Sequence, residues 1–163
     1  MELLDIMVAS DELKLKKLTK ITEDFIIENC HRFLQNDPVG VLQIVYYNPF
    51  VNLQELCLEE ICFEPGALFN SDKFTQLSAP LLEIILRRDD LNFSEIKIWE
   101  YLIKWGFAQV PTLNQDVTNK CEKDDVDNLR RIFNTFIPLL VVYCGSVSVY
   151  VLVLLPSSEL HAV

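Results

Sequence analysis

The chain has 163 residues, half of them hydrophobic, and carries a net charge of −10 at pH 7. This length suits one domain with a real core, and the apolar content excludes disorder over most of the chain. The negative charge argues against nucleic-acid binding, which needs a basic surface to displace counterions from the phosphates.

Five cysteines occur without any C-x-x-C pair, at positions 30, 57, 62, 121 and 144. A structural zinc site requires four closely spaced ligands, and this spacing does not provide them. We therefore expect reduced thiols that fill helix faces, and no metal or cofactor. The acidic start "MELLD" lacks a signal peptide, so the sequence predicts a cytoplasmic protein.

The N-terminal part predicts two helices, "ELLDIMVA" and a longer one that begins at Ser10 as its N-cap. Apolar side chains then recur at spacings of three and four, which predicts a buried stripe: Leu15, Leu18, Ile21 (or Thr22), Phe25 and Ile26. The flanking lysines allow two interpretations, a membrane-binding face or a solvated one. The acidic residues that follow favour the solvated face.

Two further helices are expected on either side of Asn48–Pro49. The first, "VGVLQIVYY", follows Pro38, which is tolerated in a first helical turn. The second, "FVNLQELCLEEICF", ends at Pro65–Gly66. Its predicted inner side consists of Leu53, Leu56, Cys57, Ile61 and Cys62.

The next helices are "SDKFTQLSAPLLEIILRR", with a predicted cap at Ser71, and "SEIKIWEYLIKWGFAQ". A polar loop is expected over 109–121, and then an amphipathic helix with four inward residues: Val126, Leu129, Ile132 and Phe133. Short helices joined by short breaks predict an all-α array of antiparallel helical hairpins.

Catalytic motifs are missing from the sequence, since it has no Gly-rich phosphate loop, no H-E-x-x-H and no G-x-S-x-G. Cys30 and His31 point about 100° apart on a helix and cannot form a dyad by themselves. Asp89, Asp90 and Glu95 could be an acid cluster or the polar joint between two helices. No basic or nucleophilic motif accompanies them, which favours the joint and a non-enzymatic protein.

The order of these segments resembles that of BTB/POZ–BACK proteins. The segment "LLDIMVASDELKLKKLTKITEDFIIEN" is similar to the last helices of a BTB domain, and the segment from Cys30 to Gly106 is similar to a BACK domain. The stretch "RRDDLNFSEIKIWEYLIKW" carries the BACK signature at Asp89, Asp90, Leu91, Ser94, Glu95, Trp99, Leu102 and Trp105. The resemblance is greatest to fungal BTB–BACK–TLDc proteins.

This resemblance implies a non-enzymatic adaptor or scaffold of cullin-RING ubiquitin ligases. Its expected partners are proteins, namely a cullin and a BTB-containing protein. The first BACK helix pair would extend the cullin contact, and it corresponds to His31–Tyr46 and Phe50–Phe63 here. The candidate contact residues on this pair are Phe33, Leu42, Tyr46 and Phe50.

The sequence departs from the family pattern at both ends. The BTB strands and early helices should precede Glu2, and a TLDc domain should follow the "NTFIP" segment. We therefore expect a fragment or a variant gene model. Apolar residues that would pack on the missing BTB core are Leu3, Leu4, Ile6 and Met7.

The predicted organisation is a BTB remnant (1–29), a BACK-like domain (30–109), a loop (110–123), a helix (124–135) and a hydrophobic tail (136–163). Phe136–Leu155 has no charge and is long enough to cross a bilayer behind Arg130 and Arg131, which predicts a tail anchor. Alternating valines, at 147, 149, 151 and 153, equally suit a strand. A packed element and a segment that does not fold also remain open.

Overall fold

A computed structural model describes residues 2–110 and 123–143. Within these ranges the chain is all-α, as the sequence predicts, and contains no strand. Nine α-helices are described: α1 (Glu2–Glu12), α2 (Lys16–Glu28), α3 (Cys30–Asn36), α4 (Pro38–Tyr46), α5 (Val51–Phe63), α6 (Gly66–Phe69), α7 (Ala79–Leu86), α8 (Glu95–Ala108) and α9 (Lys123–Tyr143). The predicted loop over 109–121 lies almost wholly outside the described residues.

The boundary between α1 and α2 differs from the prediction, because Ser10 is not an N-cap. It lies inside α1, where its hydroxyl donates to the Met7 carbonyl at 2.8 Å. The helix ends at Glu12, and Lys14, two residues further on, takes the left-handed conformation (φ 58°). The Leu15 and Lys14 amides donate to the carbonyls of Ser10 and Asp11, a Schellman ending. A lysine occupies the position where glycine is usual, so the end of the helix carries no stop signal that could be predicted.

The apolar stripe predicted for burial on α2 is largely exposed. Only Ile26 and the alternative residue Thr22 are buried, whereas Leu15, Leu18, Ile21 and Phe25 remain accessible to solvent. The buried side of α2 is therefore rotated towards Thr22 and Ile26. On α1, Leu4 and Met7 are fully buried in this chain, and Ile6 is exposed.

The helices α3, α4 and α5 form the centre of the core. Asp37 caps α4 by accepting a hydrogen bond from the Gly40 amide at 3.1 Å, and Pro38 occupies the first turn as predicted. Along α5, four of the five residues predicted to face inward are buried, namely Leu53, Cys57, Ile61 and Cys62. The fifth, Leu56, is half-buried and packs against the same core.

The sequence predicted one long helix that begins at Ser71, and this prediction is wrong. A 3-10 helix, Phe74–Gln76, comes first, and α7 begins only after Ser78. Between them Leu77 is extended (ψ 135°) and fully buried. Pro80 explains the break, because a proline in a helix interior removes a hydrogen bond and clashes with the preceding turn, whereas it is tolerated in the first turn of α7, where it lies.

The last described helix, α9, buries Leu129 and Phe133 and leaves Ile132 half-buried against the core. The fourth predicted inward side chain, Val126, lies outside the residues whose side chains are described. The helix continues beyond the expected end, and Phe136 is buried with its ring 5.4 Å from that of Trp105. The first residues of the predicted tail are therefore helical and begin on the core.

Residues 144–155, which carry the rest of the predicted membrane segment, lie outside the described residues. Among the helices that the structure does describe, none combines the length and the apolar character that crossing a bilayer requires. The tail-anchor prediction thus receives no support from the described part of the chain.

Candidate protein-interaction surface

The predicted signature segment forms a joint between α7, α5 and α8. The Arg88 guanidinium donates to both carboxylate oxygens of Asp90 at 2.8 Å and to Glu55 of α5 at 2.7 Å. The backbone N–H of Asn92 donates to the Cys62 carbonyl at the end of α5, at 2.9 Å. The three hydrogen bonds from Arg88 and this backbone bond fix the turn that leads into α8.

The carboxylates of this joint do not form an acid site. The hydrogen bonds from Arg88 lower the pKa of Asp90, whereas a proton donor near neutral pH needs a raised pKa. Asp89 and Glu95 are exposed to solvent. The arrangement therefore suits a structural link between helices, the interpretation that the sequence favoured.

The apolar signature residues hold α8 against the core. Leu102 and Trp105 are buried together with Ile98, and Leu91 is buried in the preceding turn. Trp99 is half-buried, with its ring 6.1 Å from that of Phe133 on α9. Ile96, near the start of α8, lies outside this buried face and is 67% exposed.

Ser94 occupies the N-cap position of α8, but its side chain makes no capping hydrogen bond. The joint is instead held at Asn92 and at Arg88, so the start of α8 is fixed by contacts with α5. The sequence could not show these contacts, because Glu55 and Cys62 lie about thirty residues away along the chain from Arg88 and Asn92.

The four candidate partner contacts fall into two groups. Leu42 and Phe50 are 2% and 5% exposed, so a partner could not reach their side chains in this structure. Phe33 and Tyr46 are half-buried against the core and keep part of their surface in solvent. Only the second pair can contact another protein directly.

The turn between α4 and α5 presents an accessible apolar surface, here called the hairpin tip, formed by Tyr46, Tyr47, Pro49 and Val51. Tyr47 and Val51 are among the most exposed large apolar residues described. The rings of Tyr46 and Tyr47 meet edge to face at 5.2 Å. The sequence prediction missed Tyr47 and Val51, although their position beside the Asn48–Pro49 break was a signal of exposure.

Hydrogen bonds keep the hairpin tip rigid. The Gln54 side-chain amide donates to the carbonyls of Val45 and Asn48, at 3.0 and 2.9 Å. The Asn48 side-chain amide donates to the Ile44 carbonyl, at 2.6 Å. A rigid apolar surface loses little conformational entropy when a partner binds, which favours a role in recognition.

The described cysteines do not form a metal site, and no group of His, Cys, Asp or Glu in the described part could hold an ion. Cys30 and Cys57 are buried free thiols that share a hydrogen bond, with their sulfurs 3.4 Å apart. Contact with Cys30 and burial raise the pKa of Cys57, and burial raises the pKa of Cys62 to about 12. Cys57 and Cys62 are therefore protonated core groups. His31 is exposed, and its ring lies 3.4 Å from Glu60.

Comparison with protein-family models gives one match, to the BACK (BTB And C-terminal Kelch) model over residues 38–119, half of the chain. The chain belongs to the BACK family. The match begins at the first residue of α4 and includes the hairpin tip, the Arg88 joint and all of α8. No curated protein and no solved structure matches the chain significantly.

Membership of the BACK family indicates a role in protein–protein interaction, in the manner of adaptors. It agrees with the resemblance that the signature residues suggested. The family match does not identify a partner, so the partner has to be inferred from the accessible surface.

Proposed function

We propose that this BACK-family protein is a non-enzymatic interaction module and a partial substrate adaptor of cullin-RING ubiquitin ligases. The family match over residues 38–119 is the observation that carries the proposal. In this role the protein contributes the first BACK helix pair as a surface that extends the cullin contact, while a BTB-containing partner supplies the main contact.

The hairpin tip is the part of this helix pair that suits such a contact. It combines two tyrosines with Pro49 and Val51, and aromatic side chains are enriched among residues that dominate binding energy. Phe33 of α3 is the further half-exposed candidate. Leu42 and Phe50 support the tip from the core, so their contribution to binding would be indirect.

The test is a pulldown of the full chain with a purified cullin N-terminal region, with a BTB partner supplied. Tyr47→Ala and Val51→Glu should each weaken binding about tenfold, because loss of an interface anchor costs about 1–2 kcal/mol. Phe63→Ala is the matched control. Phe63 is also exposed and lies at the opposite end of α5, so this variant should bind like the wild type.

Two results would contradict the proposal. The first is no binding of cullin by the full chain even with the BTB partner present. The second is an equal loss of binding in the Phe63→Ala control, since that would show that the hairpin tip is not the contact. Unchanged circular dichroism of each variant ensures that the loss reflects binding and not unfolding.

A further inference from the structure

A second apolar surface lies on α2, far along the chain from the hairpin tip. Leu18, Ile21 and Phe25, here called the α2 strip, are 41%, 66% and 51% exposed. Their spacing of three and four residues places them on one side of the helix, next to the buried pair Thr22 and Ile26. A contiguous exposed apolar surface of this kind marks an interaction site.

The charges around the α2 strip change sign along the helix. Four lysines precede Ile21, at positions 14, 16, 17 and 20, and three acids follow it, Glu23, Asp24 and Glu28. None of the salt bridges in the described part of the chain uses any of these seven residues. One half of α2 is thus basic and the other acidic, and Ile21 marks the centre.

We propose that the α2 strip is a homodimer interface in which α2 packs antiparallel against α2 of a second copy. A twofold axis near Ile21 would bring the basic half of each helix against the acidic half of the other. In this register Lys17 comes level with Asp24 and Phe25 of the second copy. The apolar contact of the two strips and the two symmetric Lys17–Asp24 pairs then support each other.

The charge pattern selects the antiparallel second copy over other occupants. A parallel pair would place the three lysines of one α2 helix against those of the other, which is repulsive. An anionic membrane would attract the lysines but repel Glu23, Asp24 and Glu28 on the same helix. Only a partner with the reversed order of charges suits both halves, and the chain itself supplies one.

The interface would be small, because a helix of 13 residues extends only about 20 Å. Such an interface buries less area than a standard stable complex, so we expect a weak dimer that forms in the micromolar range. It uses residues other than those of the proposed cullin contact.

Sedimentation of the full chain from about 1 to 200 µM tests the proposal. The wild type should change from monomer to dimer over this range. Ile21→Glu should raise the dissociation constant at least tenfold, because it places two carboxylates side by side at the axis. Ile96→Glu is a matched control, since Ile96 on α8 is 67% exposed and lies outside the α2 strip.

Charge exchange tests the antiparallel register. Lys17→Glu and Asp24→Lys should each weaken the dimer, and the double variant should restore it to within about threefold of the wild type, because the pairs form again with reversed sign. Both side chains are exposed, so the fold should survive. Circular dichroism and thermal unfolding verify this.

Three results would overturn the proposal. They are a wild-type monomer at every concentration, a dimer that survives Ile21→Glu, and a double variant no stronger than the single ones. Sedimentation with phosphatidylserine vesicles is a further experiment. Vesicle binding that depends on Ile21, with no dimer in solution, would assign the α2 strip to a membrane surface instead.

Discussion

The indole N–H of Trp105 donates a hydrogen bond to the Leu77 carbonyl at 2.8 Å, inside the core. This contact joins α8 to the extended residue between the 3-10 helix and α7. It explains why a tryptophan suits this position of the signature better than another large apolar residue. A buried carbonyl requires a donor, and only the indole brings both the donor and the ring surface.

Trp105→Phe should lower the free energy of unfolding by about 1–3 kcal/mol, because the Leu77 carbonyl loses its buried donor. Urea unfolding measures this difference. Trp99→Phe is the control, since Trp99 is half-buried and the substitution should cost less. An equal loss in the two variants would contradict a special role for the Trp105 hydrogen bond.

How far the sequence predicts this fold depends on how local each signal is. Periodic apolar residues with a local break, as in α4, α5 and α8, predicted the helices correctly and located Leu102 and Trp105 in the core. The α2 strip was wrongly predicted to be buried. Periodicity shows which side of a helix is apolar, but it does not show which part of that side another helix covers. Arg88 and Asn92 hold the joint through α5, a relationship that no local pattern contains.

The ending of α1 gives a second prediction. Lys14 adopts φ 58°, a left-handed conformation that costs a non-glycine residue about 1–2 kcal/mol. Lys14→Gly should therefore raise the free energy of unfolding by about 0.5–1 kcal/mol, after the greater flexibility of glycine in the unfolded chain is subtracted. Urea unfolding at neutral pH tests this value.

Lys20→Gly is the matched control for this prediction. Lys20 lies inside α2 with helical geometry, so glycine there should destabilise the protein by about 1 kcal/mol. The two substitutions remove the same side chain and should act with opposite sign. Two changes of the same sign would contradict the assignment of Lys14 as the turning residue.

Asp37 provides a pH-dependent prediction. Burial alone would raise the pKa of Asp37, but the hydrogen bonds from Lys73, at 2.6 Å, and from the Gly40 amide outweigh it and lower the pKa. Because the folded pKa lies below the unfolded one, this carboxylate stabilises the fold above the unfolded pKa. The stabilisation is lost as the pH falls below about 4.

Two variants separate the cap from the ion pair. Asp37→Asn keeps an acceptor for the Gly40 amide and loses the pair with Lys73, which costs about 1 kcal/mol or less because Lys73 is half exposed. Asp37→Ala loses the cap as well, about 1 kcal/mol more. Urea unfolding at pH 7 and pH 3 measures the free energies of unfolding. The difference between wild type and Asp37→Asn should become smaller at pH 3, while the difference between the two variants remains. If the first difference became larger at pH 3, the pKa of Asp37 could not be lowered in the folded protein.

The contact between α8 and α9 yields the last prediction. A Cβ at Gly106 would lie 2.9 Å from Cζ of Phe133, which is buried. Gly106→Ala should therefore be destabilising by up to about 2 kcal/mol, because overpacking exceeds the gain of about 1 kcal/mol in helix propensity. In a Phe133→Leu background the ring end is gone, and the same substitution should become stabilising. A double-mutant cycle by urea unfolding measures this reversal. Equal effects in both backgrounds would mean that α9 does not pack on α8 through this glycine.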